Sequence, residues 1–286
     1  MAANNPTLPR GAGLGLRREL LEELQSSEQS ADFLELAPEN WIKTTAPLKR
    51  QLAELAERYP ITCHGLSLSL GSPDPLDHTL LADIAQFNRD YRVSYYTEHL
   101  SYCSAGGHFY DLAPIPFTEE AVHYTAARIR AVQETLGERI GVENISYYAA
   151  PGQHLADAMD EASFLLAVTQ EADCDLLLDI NNIYVNSINH GYDASLFLSR
   201  LATAPVRYLH IAGHFDEAED LKIDSHGSDV IAPVWQLLAE AYQQYGKLPT
   251  LLERDFNIPS LAVLNRELDT VRAYQAQLNA PMAAAQ

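Results

Sequence analysis

Asp224 and His226 stand two residues apart in the stretch LKIDSHGSDV, residues 221–230. In extended backbone, residues i and i+2 point the same way, so a carboxylate and an imidazole at this spacing can reach one point in space. Two readings stand at this level: a turn with polar decoration, or a pair of metal ligands. The rest of the chain repeats the theme, because short apolar runs end in residues of the same kind: His64; Glu98 and His99; Glu143 and Asn144; Asp179, Asn181 and Asn182; His210; Glu253 and Asp255. Taken singly, a histidine at a strand end is more often a hydrogen-bonded core residue than a ligand. Gathered on one rim the set means more, since burying unpaired carboxylates costs several kcal/mol each unless protons or cations neutralise them. Arg254 is the only cation immediately beside the cluster in sequence, and alternation turns it away from Glu253 and Asp255. Metal ions would balance the charge. Mixed imidazole–carboxylate ligation suits iron, manganese or zinc. At least four histidines and four carboxylates exceed the roughly four to six positions around one ion. Two or three metals are therefore expected, with Glu143 the best candidate for a bridging carboxylate.

The elements that position these residues recur in a fixed order. Eight apolar runs, at 11–16, 32–38, 61–68, 95–102, 139–145, 174–185, 207–213 and 248–255, alternate with amphipathic stretches. Near-continuous apolar strands are what a parallel sheet covered on both faces requires. Helical patterns lie at 48–59, 117–137, 233–246 and 260–278; the second opens at Thr118 and stops at Gly137. Eight strand–helix units predict a (β/α)8 TIM barrel forming one domain over residues 1–286, with a doubly wound open sheet as the alternative. In such a barrel chemistry sits at the C-terminal ends of the strands, where six of the eight runs present a His, Asp or Glu. Long connections at 146–157, 186–193 and 214–231 are expected to act as lids or binding loops, and the tail at 280–286 is expected to be disordered.

Composition narrows the partners. The formal charge of −20, from 19 Lys plus Arg against 39 Asp plus Glu, repels phosphate backbones and argues against nucleic acid. No apolar run approaches the roughly 20 residues that span a bilayer, and the first ten residues carry no secretory pattern. The three cysteines are far apart and read as reduced thiols of a cytoplasmic protein; Cys63, next to His64, is expected to pack in the helix layer.

The blocks HGLSLSLGSPDPLD (64–77), YTEHLSY (96–102), GVENIS (141–146), LLLDINNIYVN (177–186), YLHIAGH (208–214), IDSHG (223–227) and LLERD (251–255), in this order, resemble the multinuclear non-haem iron-dependent oxidases, the family of the methanobactin biosynthesis oxidase. The resemblance covers about residues 11–277. It implies a xylose isomerase-like barrel with two or three irons. Glu143, Asp179, His210 and Glu253 would bind one iron, and Asp224, His226 and Asn182 a second, with Glu143 bridging. His64 and His99 would serve a third. Asn182, a neutral amide, is the weakest donor of the set. The implied reaction is oxidation of a cysteine in a ribosomally made precursor peptide by dioxygen at a mixed-valent Fe(II)/Fe(III) centre. A separate partner protein would recruit the peptide.

Two other classes stay open on the residues alone: a divalent-metal-dependent hydrolase or sugar isomerase on a related barrel, and a barrel that only binds peptide or stores metal. The sugar isomerase lacks an identifiable Lys or His to work on the sugar. His154, His190 and His214 lie near the expected site and are equally compatible with substrate, supporting or structural roles. Tyr147 and Tyr148, after the fifth run, are candidates for shaping a peptide groove.

Overall fold

The computed structural model describes residues 8–28, 30–149, 151–156 and 158–278, so the tail expected to be disordered lies outside the described residues. Eight parallel strands close into a barrel: β1 (Ala12–Gly15), β2 (Phe33–Leu36), β3 (Ile61–Gly65), β4 (Tyr95–His99), β7 (Gly141–Glu143), β8 (Asp175–Asp179), β9 (Val206–Ile211) and β12 (Thr250–Leu252). Each of the eight apolar runs supplies one of them. Chain order is barrel order, and β1 closes the ring by pairing with both β12 and β2. Two antiparallel hairpins stand outside the ring, β5 (Ser101–Ser104) with β6 (His108–Pro114), and β10 (Phe215–Ala218) with β11 (Leu221–Ile223).

Period-two alternation splits every barrel strand between two environments. Outward residues such as Leu34, Cys63, Tyr96, Leu178 and Ile211 join the main core beneath the helices, as expected for Cys63. Inward residues stack in layers. Phe33, Tyr95, Leu177, Tyr208 and Leu251 form a separate plug in the barrel interior. Gly13 leaves room for it, since a Cβ there would lie 2.2 Å from the Phe33 ring. Two residues further along the same strands come Glu35, Thr97, Asp179, His210 and Glu253. The strands thus change from apolar to polar, mostly ionisable, side chains at one level of the barrel.

The helical layer includes α1 (Leu21–Ser26), α2 (Glu39–Ile42), α3 (Ala46–Ala56), α4 (His78–Asp90), α5 (Glu119–Leu136), α6 (Glu161–Ala172), α7 (Ile180–His190), α8 (Ala194–Arg200), α9 (Ala232–Tyr245) and α10 (Leu261–Gln277). The Thr118 hydroxyl caps α5 by accepting from Ala121 N, and Gly137 ends it in the left-handed conformation. None of these helices is long and apolar enough to cross a membrane. The run at 174–185 departs from expectation: the strand stops at Asp179, and residues 180–190 are helix, including much of the connection expected at 186–193. Asp179 causes the break. Its Oδ1 accepts from Asn182 N at 2.6 Å, so it acts as the N-cap of α7 while facing the barrel interior.

Glu161, in the first turn of α6, is buried and pushed up to about 8, chiefly because burial disfavours its charge. The folded protein then keeps a proton that the unfolded chain sheds near pH 4–5. The stability this gives is complete below that range and is lost as pH rises towards 8. Glu161→Gln should remove the loss, so that the variant gains on the order of 3 kcal/mol over wild type between pH 5 and 8.5. Parallel denaturation curves for the two proteins across that range would contradict the assignment.

Candidate metal centre

The ionisable layer is a set of converging side chains. On β3 and β4, His64 Nδ1 lies 2.7 Å from the Thr97 hydroxyl and His99 Nδ1 donates to the Gly65 carbonyl at 2.8 Å. These contacts turn both Nε2 atoms inward, 3.1 Å apart and 3.0 and 3.3 Å from Glu143 Oε2. Separations of about 3.0–3.4 Å are what donors bound at about 2.1 Å to one ion require. The other oxygen of Glu143 lies 3.6 Å from His210 Nδ1, which is also 3.1 Å from Glu253 Oε2. With Asp179 they form a second group whose donor atoms all lie within 4.8 Å of one another. The same holds for a third group of His226, Glu253 and Asp255. Glu143 joins the first group to the second, and Glu253 joins the second to the third.

His226 reaches the third group from the loop after β11, with φ at +48°, a conformation non-glycine residues adopt rarely and at local cost. Its Nε2 lies 2.7 Å from Asp224 Oδ1 and its Nδ1 3.2 Å from Asp255 Oδ2. The Asn181 amide donates to Asp224 at 3.0 Å, and its oxygen lies 2.8 Å from His214 Nδ1, while Asp224 N donates to the Tyr148 hydroxyl. His214 is thus placed behind Asp224. His190 packs on Tyr147, away from the cluster, and His154 is exposed.

Electrostatics bind the set together. Burial pushes Asp179 up to about 8, helped by the Glu143 charge. Burial alone would raise Glu143 too, but His64 and His99 outweigh it and hold the carboxylate below its usual range. His99 rises to about 9: burial opposes its charge, and Glu143 and Glu98 overcome it. Glu253 stays well below the usual range because His226 and His210 offset its burial. The donor set fits divalent metal ions on a further count. Asp179 Oδ2, both ring nitrogens of His210 and His226 Nε2 are buried without a hydrogen bond among the described residues. The carboxylates 2.7–3.1 Å from these ring nitrogens lack hydrogen-bond alignment. Buried polar atoms left this way are costly, and a shared cation removes the cost.

Three placements differ from the sequence reading. Asn182, grouped there with Asp224 and His226, lines the cleft but spends its amide elsewhere: Oδ1 accepts from Ser146 at 2.7 Å and Nδ2 donates to Asn144 O at 3.0 Å. Glu98 faces outward to Tyr96, whose hydroxyl donates to it at 2.9 Å, as alternation with His99 demands. Arg254 does turn away, to Asp229 and Glu267, yet it is not the cation beside the cluster. That place belongs to Arg17, after β1, which pairs with Asp255 and lies 3.3 Å from Glu253 Oε1.

Sequence reasoning also missed Glu35. It stands between Leu34 and Leu36 in β2, buried, with Oε1 2.9 Å from His210 Nε2 and Oε2 accepting from the Thr62 hydroxyl. Its signal was an acid in an otherwise apolar four-residue strand, two residues after inward Phe33. A carboxylate behind a metal-bound imidazole fixes the ring, and losing one commonly costs about 10–100-fold in metal affinity. Glu35→Gln should show a loss of that size in chelator competition; unchanged affinity would remove Glu35 from the account.

A cleft of about 440 Å³ opens above the cluster, walled by Leu66, Ile145, Tyr148 and Phe256 and crossed by Arg17. Its floor is polar and its walls partly apolar, as in small-molecule and peptide sites.

Comparisons agree with this architecture. A family model described as the RiPP precursor modification enzyme MbnB/TglH/ChrH matches residues 11–276. The UPF0276 protein of Alcanivorax borkumensis is 56% identical over 272 residues, covering 93% of this chain and 91% of its own. That of Shewanella sediminis is 54% identical, covering 92% and 94%. Among solved structures, D-psicose 3-epimerase from Clostridium cellulolyticum superposes with a TM-score of 0.59 at 11% identity, covering 94% of this chain and 96% of that one. Endonuclease IV from Thermus thermophilus gives 0.56 at 15%, covering 94% and 100%. At such identities the likeness establishes the xylose isomerase-like barrel and nothing about activity.

Proposed function

The chain belongs to the MbnB/TglH/ChrH family of enzymes that modify RiPP precursors, and from that premise we propose that it is a multinuclear non-haem iron oxidase acting with dioxygen on a cysteine of a ribosomally made precursor peptide. The observation that carries the reading is the sharing of Glu143 and Glu253 among three groups of donors, which suits adjacent ions rather than isolated ones. Iron fits the mixture of imidazole and carboxylate donors. The catalytic unit would be the one barrel, working in the cytoplasm with a separate protein that recruits the peptide.

In this reading His64, His99 and Glu143 hold one ion; Glu143, Asp179, His210 and Glu253 hold another; and His226, with Glu253, Asp224 or Asp255, holds a third. Asn182 braces the loop after β7 against α7 and leaves ligation to its neighbours. Bound iron would supply a site where the substrate thiol is held as thiolate and its electrons pass to dioxygen. The protein's own groups prepare that site. Arg17, tied to Glu253 and Asp255, holds positive charge at the mouth and orients both carboxylates. Tyr148, bonded to Asp224 N, closes one side of the cleft and keeps the His226 loop in place. Thr97 and the Gly65 carbonyl fix the rings of His64 and His99.

The test is to incubate the iron-loaded protein and its partner with a cysteine-bearing precursor under air and follow peptide mass. Oxidation of the cysteine peptide, with no change in its Cys→Ser counterpart, is expected. Equal reaction without dioxygen, or with manganese or zinc in place of iron, would overturn the oxidase and move the reading to hydrolase or isomerase chemistry.

A further inference from the structure

A second cavity, of about 260 Å³, lies beside the metal cleft between the loop after β7 and α8. Two aromatic stacks form its walls. Tyr147 and His190 have ring centroids 4.2 Å apart, Tyr192 and Phe197 5.2 Å, and Phe117 meets Tyr147 edge-on at 5.6 Å. Glu161 closes the cavity from α6. It is only 7% exposed, accepts from the Tyr147 hydroxyl on Oε2 at 3.2 Å, and has no hydrogen bond to Oε1 among the described residues.

The neighbouring charges are otherwise engaged. Asp160 caps α6 and accepts from Arg200 on both oxygens, at 2.8 and 2.7 Å, and Asp193 caps α8. Among the described residues Glu161 has no such duty, and Gln would serve the Tyr147 hydroxyl equally well. Above about pH 8, where Glu161 sheds the proton that burial holds on it, aromatic faces around the recessed carboxylate attract a guanidinium or an ammonium, through the rings' negative faces and a charge-assisted hydrogen bond. The metal cleft is adjacent, because consecutive residues line the two spaces: Tyr147 faces this cavity and Tyr148 the cleft. The chain's charge of −20 favours a basic ligand as well.

We propose that this cavity is a subsite for an arginine or lysine side chain of the peptide substrate, next to the cysteine held at the metal centre. The proposal names the peptide because it rests on the reading above, but its test does not depend on oxidation. Acetyl-Gly-Arg-Gly-amide and its lysine counterpart, titrated calorimetrically into the metal-loaded full chain at pH 8.5, should bind at least about tenfold more tightly than the citrulline peptide, which keeps the shape and lacks the charge. Glu161→Gln should bring the three peptides within about threefold of one another, with metal content unchanged. Leu196→Lys, at an exposed position on the rim, should weaken arginine binding several-fold by placing an ammonium at the mouth. Equal affinity for the citrulline peptide, no binding of the arginine peptide, or a preference that survives both substitutions would overturn the subsite and leave the metal centre untouched. Selective binding by a protein that fails to oxidise cysteine would instead sustain the subsite and sink the oxidase.

Discussion

Glu143→Gln should keep the barrel folded and lose more than one metal ion per chain. Glu143 is the residue on which two donor groups meet: Oε2 faces the Nε2 atoms of His64 and His99, and Oε1 faces His210. Glutamine keeps the size and one oxygen but removes the charge that holds two ions side by side. Relief of a buried carboxylate offsets part of the lost packing and hydrogen bonding, so the unliganded variant should still melt cooperatively. Metal analysis after gel filtration should show at least two ions fewer than wild type, with oxidation falling to background. Loss of a single ion would make Glu143 a terminal ligand and take away the shared-carboxylate arrangement.

The second large effect is narrower by design. Asp224→Ala with His226→Ala should remove one ion, that of the group formed with Glu253 and Asp255, and leave the others in place. Both residues sit in the loop after β11, outside the barrel strands, so the expected change in folding stability is within about 1 kcal/mol. Full metal retention in the double variant would return LKIDSHGSDV to the reading of a decorated turn. Together the two variants separate a bridging acid from a loop-borne ligand pair, since one should cost several ions and the other one.

Much of this was legible in the sequence because a parallel barrel writes itself twice, as apolar runs and as the polar residues that end them. Each of the eight runs became a barrel strand, and His64, His99, Glu143, Asp179, His210 and Glu253 converge as strand-end residues should. What escaped has physical reasons. Glu35 is an acid inside a four-residue strand, where the apolar pattern suppresses it; only its phase with inward Phe33 reveals it. Arg17 follows β1 in sequence and meets Glu253 and Asp255 because β1 closes the ring against β12, a contact across more than 230 residues that no local pattern carries. The run at 174–185 hid a strand–helix junction because INNIYV suits both periods, and the break depends on Asp179 accepting from Asn182 N. That junction also settles Asn182 in a helix turn, bonded to Ser146 and Asn144, rather than at a strand tip. Strands β6 and β10 of the two hairpins carry mostly exposed residues and leave no apolar signature to read.

The central claim is that adjacent irons share these carboxylates, and it is tested most directly by elemental analysis and electron paramagnetic resonance of protein purified without added metal. The expected result is two or three irons per chain with the signal of a coupled mixed-valent Fe(II)/Fe(III) pair, both lost in Glu143→Gln. Stoichiometric zinc or manganese without iron, or iron whose spectrum shows only isolated ions, would contradict it.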